Sequence, residues 1–436
     1  MKGCLAKRDG VVYINQNHNI MNLKLRLTIL SFLQFFVWGA WLISLGSYAG
    51  CQLGFNGVEI GSLYAAMGIV SLFMPALLGI IADRWIPAQK MLGIAHFISS
   101  CFMLAVSQQT EYASLYPYMF LAVAFYMPTI GLSNSVAFIS LTKKGLDTVK
   151  AFPPIRIWGT VGFIIAMWTV NFMGFKTNAY QFYLSAIVGF ILAAYSFTLP
   201  HCPVAGKKQS TSLIEAFGLK AFMLFKQKRM AIFFVFAMLL GAMLQITNGF
   251  GDWFLSSFQS VPEYTDTFGV KHSLFLISLS QISETFCILL IPFFFNRYGI
   301  KKVMLISMAA WVLRFGLFGL GNPGAGVWML ILSMLVYGVA FDFFNISGSL
   351  FVDQETDAGT RSSAQGLFMI MSNGLGAVIG SYAAGFVINN RVPNPSIPDG
   401  WNTAWFIFAG YALVVAVAFA LIFKDVKTKK VPADNV

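Results

Sequence analysis

Two carboxylic acids lie in stretches apolar enough to cross a bilayer: Glu284 in SLFLISLSQISETFCILLIPFFF and Asp342 in WMLILSMLVYGVAFDFFNISGSLFV. A carboxylate at the centre of a membrane helix costs about 2.5–3.5 kcal/mol on insertion scales, so such a group is kept only where it is paired, protonated or facing water. Burial disfavours the charged form, and a carboxyl poised near neutrality can bind a proton on one side of a membrane and release it on the other. One charge moved through 100 mV is worth about 2.3 kcal/mol, roughly fifty-fold accumulation of a neutral solute carried with a proton. The competing reading is a buried structural ion pair, for which Arg314 is a candidate partner.

Other polar side chains recur at helical spacing near these acids. Gln245 and Asn248 stand three apart, as do Gln281 and Glu284, and each pair shares a helix face. Tyr337, Phe341 and Asn345 are successive i+4 neighbours with Asp342 beside them. Arg156, Thr160 and Phe163 are spaced i, i+4, i+7 after a Pro-Pro step suited to the first turn of a helix. Amides also serve as glue between membrane helices, worth about 0.6–2 kcal/mol each, and an arginine near a span end can snorkel to the surface. Four polar or aromatic faces, two with acids, favour a shared cavity. Amides offer a donor and an acceptor together, and flat rings can stack a base. A neutral, hydroxylated aromatic solute fits this set. Sugars use amides, acids and aromatic platforms too, so the residues alone leave a sugar open.

Long helices must hold these groups. Of the 436 residues, 57% are hydrophobic and 11% charged, against roughly 25% charged in soluble domains. Twelve spans are predicted, at 27–48, 57–82, 90–107, 114–141, 155–174, 179–199, 230–256, 273–295, 302–320, 326–351, 363–389 and 402–423. Each suffices for about 30 Å of hydrocarbon, which makes the chain an all-α membrane protein. With the N-terminus inside, 25 of the 29 Lys and Arg fall on inner segments, Lys176, Lys271 and Arg391 fall outside, and Arg314 lies within a span. That asymmetry predicts cytoplasmic termini and explains the net charge of +12 without a nucleic-acid partner. Five scattered cysteines indicate neither a disulfide framework nor a metal site. No HExxH, GxSxG or Walker motif suggests an enzyme, and no appended domain suggests a receptor.

The expected organisation is a tail at 1–26, six helices at 27–199, a linker at 200–229, six helices at 230–423 and a tail at 424–436. Residues 1–20 read as a disordered tail or as an extension upstream of Met21. The linker contains a capping box, Ser212 to Glu215, with Leu213, Phe217, Ala221 and Leu224 at helical spacing, which reads as a surface helix. The segment Pro75–Trp85 and the segment Pro292–Lys302 end corresponding spans with a polar-Arg-aromatic turn, an echo that implies a duplicated six-helix unit. His96, alone among apolar residues, reads as packing. Asp252 at a span end reads as solvated. Gly374, Gly376, Gly380 and Gly385 suit close helix packing. Phe35, Trp38 and Trp41 suit either the cavity or an interfacial anchor.

Gly79-x-x-Ala82-Asp83-Arg84 resembles the inner loop motif of the major facilitator superfamily, with Arg297 as its echo. More specifically, MNLKLRLTILSFLQFFVWGAW, FPPIRIWGTVGFIIAMW, KRMAIFFVFAMLLGAMLQITN, SQISETF, PFFFNRYGIKKVM, VYGVAFDFFNISGS and RSSAQGLF resemble the bacterial nucleoside:proton symporter family, from about Met21 to Asp425. The resemblance implies a monomer in the inner membrane that needs no cofactor. It would import nucleosides such as uridine, adenosine or xanthosine with protons by alternating access. It assigns a substrate pocket to Arg156, Thr160, Phe163, Gln245, Asn248, Gln281, Glu284, Tyr337, Phe341 and Asp342. Proton coupling would fall to Glu284 and Asp342, and Asp83, Arg84 and Arg297 would act in the conformational loops. In one departure, Asp252 stands where the family carries an amide after the glycine. A sugar symporter of the same fold is the alternative, and a membrane receptor or membrane-embedded enzyme is a third reading.

Overall fold

The computed structural model describes residues 5–204, 219–357 and 360–424, and among them all regular structure is helical. The first helix, α1 (Leu5–Gly39), is followed by a short turn of helix, Leu45–Ser47, and a π-helical turn, Tyr48–Gln52. Then come α2 (Gly57–Ser71), α3 (Met74–Arg84), α4 (Ala88–Val106), α5 (Tyr112–Lys143), α6 (Thr148–Phe172) and α7 (Tyr180–Ser196). After the central connection follow α8 (Lys228–Ser257), α9 (Ser273–Leu320), α10 (Val327–Glu355), α11 (Arg361–Met369), α12 (Ala377–Arg391) and α13 (Trp401–Ile422).

Ten helical segments among the described residues are long and apolar enough to cross a membrane, and the pair α2–α3, bent by 41°, makes an eleventh. Helix α7, at 17 residues, is a shorter apolar helix. Each predicted stretch falls on one of these segments. Local chemistry sets the boundaries. Asn56 caps α2 by accepting from Val58 N and Glu59 N at 3.0 Å, while Glu59 Oε2 accepts from Asn56 N at 2.9 Å, which closes a reciprocal cap. Pro75 in the first turn of α3 accompanies the bend. Gly299, at φ +71°, interrupts α9 between two spans, and only glycine adopts that conformation at little cost.

Three expectations change. Residues from Leu5 onward continue α1 as helix rather than forming a disordered tail, and no proline interrupts that stretch. Helix α6 begins a turn before Pro153 and Pro154, so both lie inside it and not at its opening. Their missing N–H groups leave only carbonyls of the helix's own start without partners. The linker's capping box, Leu213 and Phe217 lie outside the described residues. The described end of the linker, Leu219–Lys226, is a 3₁₀-helix that packs on α8 and α11.

Helix α1 packs along α6, α4 along α5 and α7, and α9 along α10 and α13. Helix α2 packs against α12, where a Cβ at Gly385 would meet Gly57 O at 2.2 Å. Gly380 likewise leaves no room before Ala242 O, at 2.4 Å. The small residues therefore let backbones touch, as their clustering suggested.

Candidate functional site

The predicted pocket residues come from four helices. Helix α6 supplies Arg156, Thr160 and Phe163; α8 supplies Gln245 and Asn248; α9 supplies Gln281 and Glu284; α10 supplies Tyr337, Phe341 and Asp342. Arg156, Thr160, Gln245, Asn248, Gln281, Glu284 and Phe341 are half-buried. Asp342 and Tyr337 are buried, at 2% and 4% exposure.

The acids and their neighbours form one electrostatic cluster. Arg156 and Glu284 act on each other as opposite charges, although their helices lie on either side of the central connection. Glu284 and Asp342 act on each other as like charges. Asp342 Oδ2 is buried without a hydrogen-bond donor. Tyr337 sits among these groups, its hydroxyl reached by Gln281 and its ring parallel to Phe341, with centroids 5.7 Å apart and planes 10° apart.

Arg314 does not pair with either acid. Its guanidinium lies 4.5 Å from the Tyr337 ring centroid and donates to Ser333 O at 2.8 Å, while Ser333 Oγ donates to Arg314 O at 3.0 Å. Trp311 meets the same tyrosine at 90°. The buried cation therefore braces the Tyr337–Phe341 platform from the protein side, through ring and carbonyl contacts.

On the other side, Arg156 stacks its guanidinium 3.9 Å from the Phe35 centroid, so it is held inward and does not snorkel. Trp38 lies between Tyr126 and Phe163, and Trp41 is buried at 1% exposure, so span one turns these rings into the protein. Behind them Gln34 donates to Thr129 Oγ1 at 2.7 Å, bonds His96 Nε2 at 2.8 Å and accepts from Tyr126 through its carbonyl. His96 is thus part of a packed polar network. Thr160, Gln245 and Asn248 share no hydrogen bond or ion pair with the acid cluster, and Gln245 Oε1 is buried without a donor. Of the loop residues, the side chain of Asp83 lies outside the described residues, Arg84 is half-buried, and Arg297 packs over Phe293 and Tyr298 at 5.8 and 5.7 Å.

Asp252 is buried at 1% exposure, contrary to the solvated reading. Ser47 donates to its Oδ2, and Ser273 donates to its Oδ1 at 2.5 Å. Lys176 Nζ in turn donates to Ser273 Oγ at 2.8 Å and Ser256 Oγ at 3.1 Å. Helices converge there so closely that a Cβ on Gly46 would lie 2.1 Å from Gly249 O. Sequence reasoning missed this cluster because its serines look like any others.

A helical membrane protein whose spans bring two acids, an arginine and a pair of parallel rings together has the features of a transporter. The comparisons say which kind. The family model for the nucleoside H+ symporters matches residues 21–428. The chain is 51% identical over 405 residues to the nucleoside permease NupG of Escherichia coli K12, covering 93% of this chain and 96% of that permease. It is 49% identical over 405 residues to the xanthosine permease of the same organism, with the same coverage. A crystal structure of the nucleoside transporter NupG superposes with a TM-score of 0.87 at 50% identity, covering 93% of this chain and all of the other. The chain belongs to the nucleoside H+ symporter family and has the major facilitator fold.

Proposed function

We propose that this protein imports nucleosides together with protons across the bacterial inner membrane. Twelve spans would be arranged as two six-helix halves with cytoplasmic termini, and the protein would work as a monomer with no cofactor beyond the proton gradient. The observation that carries the reading is the charge cluster of Arg156, Glu284 and Asp342, which joins helices from before and after the central connection. Glu284 faces both a cation and an acid, whereas Asp342 faces Glu284 and has one oxygen without a donor. Asp342 is therefore the charge the site leaves unbalanced, and a proton there brings the three groups to neutrality. Tyr337 and Phe341 supply the platform for the base. Gln245, Asn248, Gln281 and Thr160 offer donors and acceptors for base edge and ribose. Asp83, Arg84 and Arg297 would act in the loops between access states.

The substrates that fit are purine and pyrimidine nucleosides such as uridine, adenosine and xanthosine. The test is uptake of labelled uridine and adenosine into proteoliposomes with an imposed inward proton gradient. Accumulation above the external concentration, abolished by a protonophore, supports the proposal; its failure in the presence of the gradient overturns it.

A further inference from the structure

The buried carboxylate of Asp252 takes no part in the site described above. Among the side-chain hydrogen bonds that join described residues before the central connection to described residues after it are five: Ser47 to Asp252, Lys176 to Ser256, Lys176 to Ser273, Trp168 to Ser278, and Asn171 to His272. All five lie at the end of the helices opposite the termini. At the terminal end four polar contacts of described residues each stay on one side of the central connection. Arg26 meets Thr198 O, Lys143 meets His201 O, Arg229 pairs with Glu355, and Lys301 meets Ala420 O. The end opposite the termini is therefore held shut by bonds between the segments before and after the central connection.

At the shut end one hydroxyl links opposite charges. Ser273 donates to Asp252 at 2.5 Å and accepts from Lys176 at 2.8 Å. Ser47 reaches the second carboxylate oxygen from the short helix after α1. The carboxylate and the three serines Ser47, Ser256 and Ser273 are each no more than 8% exposed. Buried charges hold only where such partners are complete, so drawing Ser47 and Lys176 away leaves Asp252 and the serines to be hydrated anew.

We infer that Asp252, Ser273, Lys176 and Ser47 form a latch that keeps this end closed, and that the latch must break for a nucleoside to enter from that side. The inference rests on the transport reading above. Its test needs neither substrate nor gradient, so a failure of the nucleoside assignment leaves the result standing.

Cys51 provides the probe. It lies on the π-helical turn beside the latch, is half-buried, contacts Trp253, and is within charge range of Asp252 and Lys176. In a full-length protein with Cys4, Cys101, Cys202 and Cys287 replaced by serine, the rate of Cys51 alkylation by a charged maleimide would be measured in lipid nanodiscs. Hydrogen bonds to charged groups are strong enough that losing one shifts such an equilibrium by about tenfold, and Asp252→Ala and Lys176→Met should each speed alkylation by about three- to tenfold. The two variants remove opposite charges. A mere effect on thiol acidity would move their rates in opposite directions, because a nearby anion disfavours the thiolate and a cation favours it. Opening moves both rates up. Unchanged rates, or rates that diverge in sign, overturn the latch. Gel filtration and thermal melting check each variant's folding, and Asp252→Asn, which keeps one acceptor oxygen, replaces Asp252→Ala if the latter does not fold.

Discussion

Gln245→Met separates a binding role for the amide from a packing role. Gln245 is half-buried on α8 with Oε1 buried and unmatched by any donor, one helical turn from Asn248. An acceptor that packing required would already have its donor, so the partner is expected from the substrate: a base N–H or a ribose hydroxyl. Methionine conserves length and rough volume, so the packing change stays small. Leaving a buried polar partner unmade costs about 1–3 kcal/mol, which lies on the substrate side once the amide is gone. Uridine binding should therefore weaken by about 5- to 150-fold. The folded protein itself loses an orphaned acceptor and should melt no lower than the parent. Titration calorimetry on purified protein gives the first number and a thermal melt gives the second. A parental uridine Kd would refute the assignment. A lowered melting temperature with a parental Kd would show that the amide serves the fold.

Three further outcomes follow from the geometry. Arg314→Met removes the cation 4.5 Å from the Tyr337 ring; a contact of about 0.5–2 kcal/mol translates to a rise of roughly 2- to 30-fold in uridine KM, and Arg314→Lys should recover part of it. Gly46→Ala places a Cβ 2.1 Å from Gly249 O, so the end opposite the termini cannot close fully and the initial rate of uridine uptake should fall well below the parent's; an unchanged rate would show that the backbones part easily. Arg156→Met leaves Glu284 without the cation it faces, and uptake should drop to background while Arg156→Lys retains some activity.

Much of the fold was legible because membrane helices announce themselves. Long apolar runs, punctuated by Gly, Pro and basic residues, place α4, α5, α8, α10 and α13 within a few residues of expectation. The acids were legible for the same reason, since a carboxylate in hydrocarbon needs a cause. Contacts across the sequence were not. Nothing in the spacing of Arg314 says that it braces Tyr337 and leaves the acids alone, because a helix face fixes a direction and not the neighbour it meets. Asp252 was misread for a related reason. A charge near a span end is solvated by default, and only the convergence of Ser47, Ser273 and Lys176, from segments far apart in the chain, buries it. The prolines of α6 show a third limit: a helix start is set by bonds upstream of the residues that usually mark it.

The central claim is that Glu284 and Asp342 link a proton to a nucleoside. It is tested most directly by uridine accumulation in proteoliposomes under an imposed proton gradient, comparing the parent with Glu284→Gln and Asp342→Asn. Each isosteric change removes a titrating oxygen and keeps the shape. The account predicts that neither variant accumulates uridine to the parent's level, and that Asp342→Asn still exchanges labelled for unlabelled uridine when no gradient is imposed. Accumulation at the parent's level by both variants would contradict it and make the two acids structural.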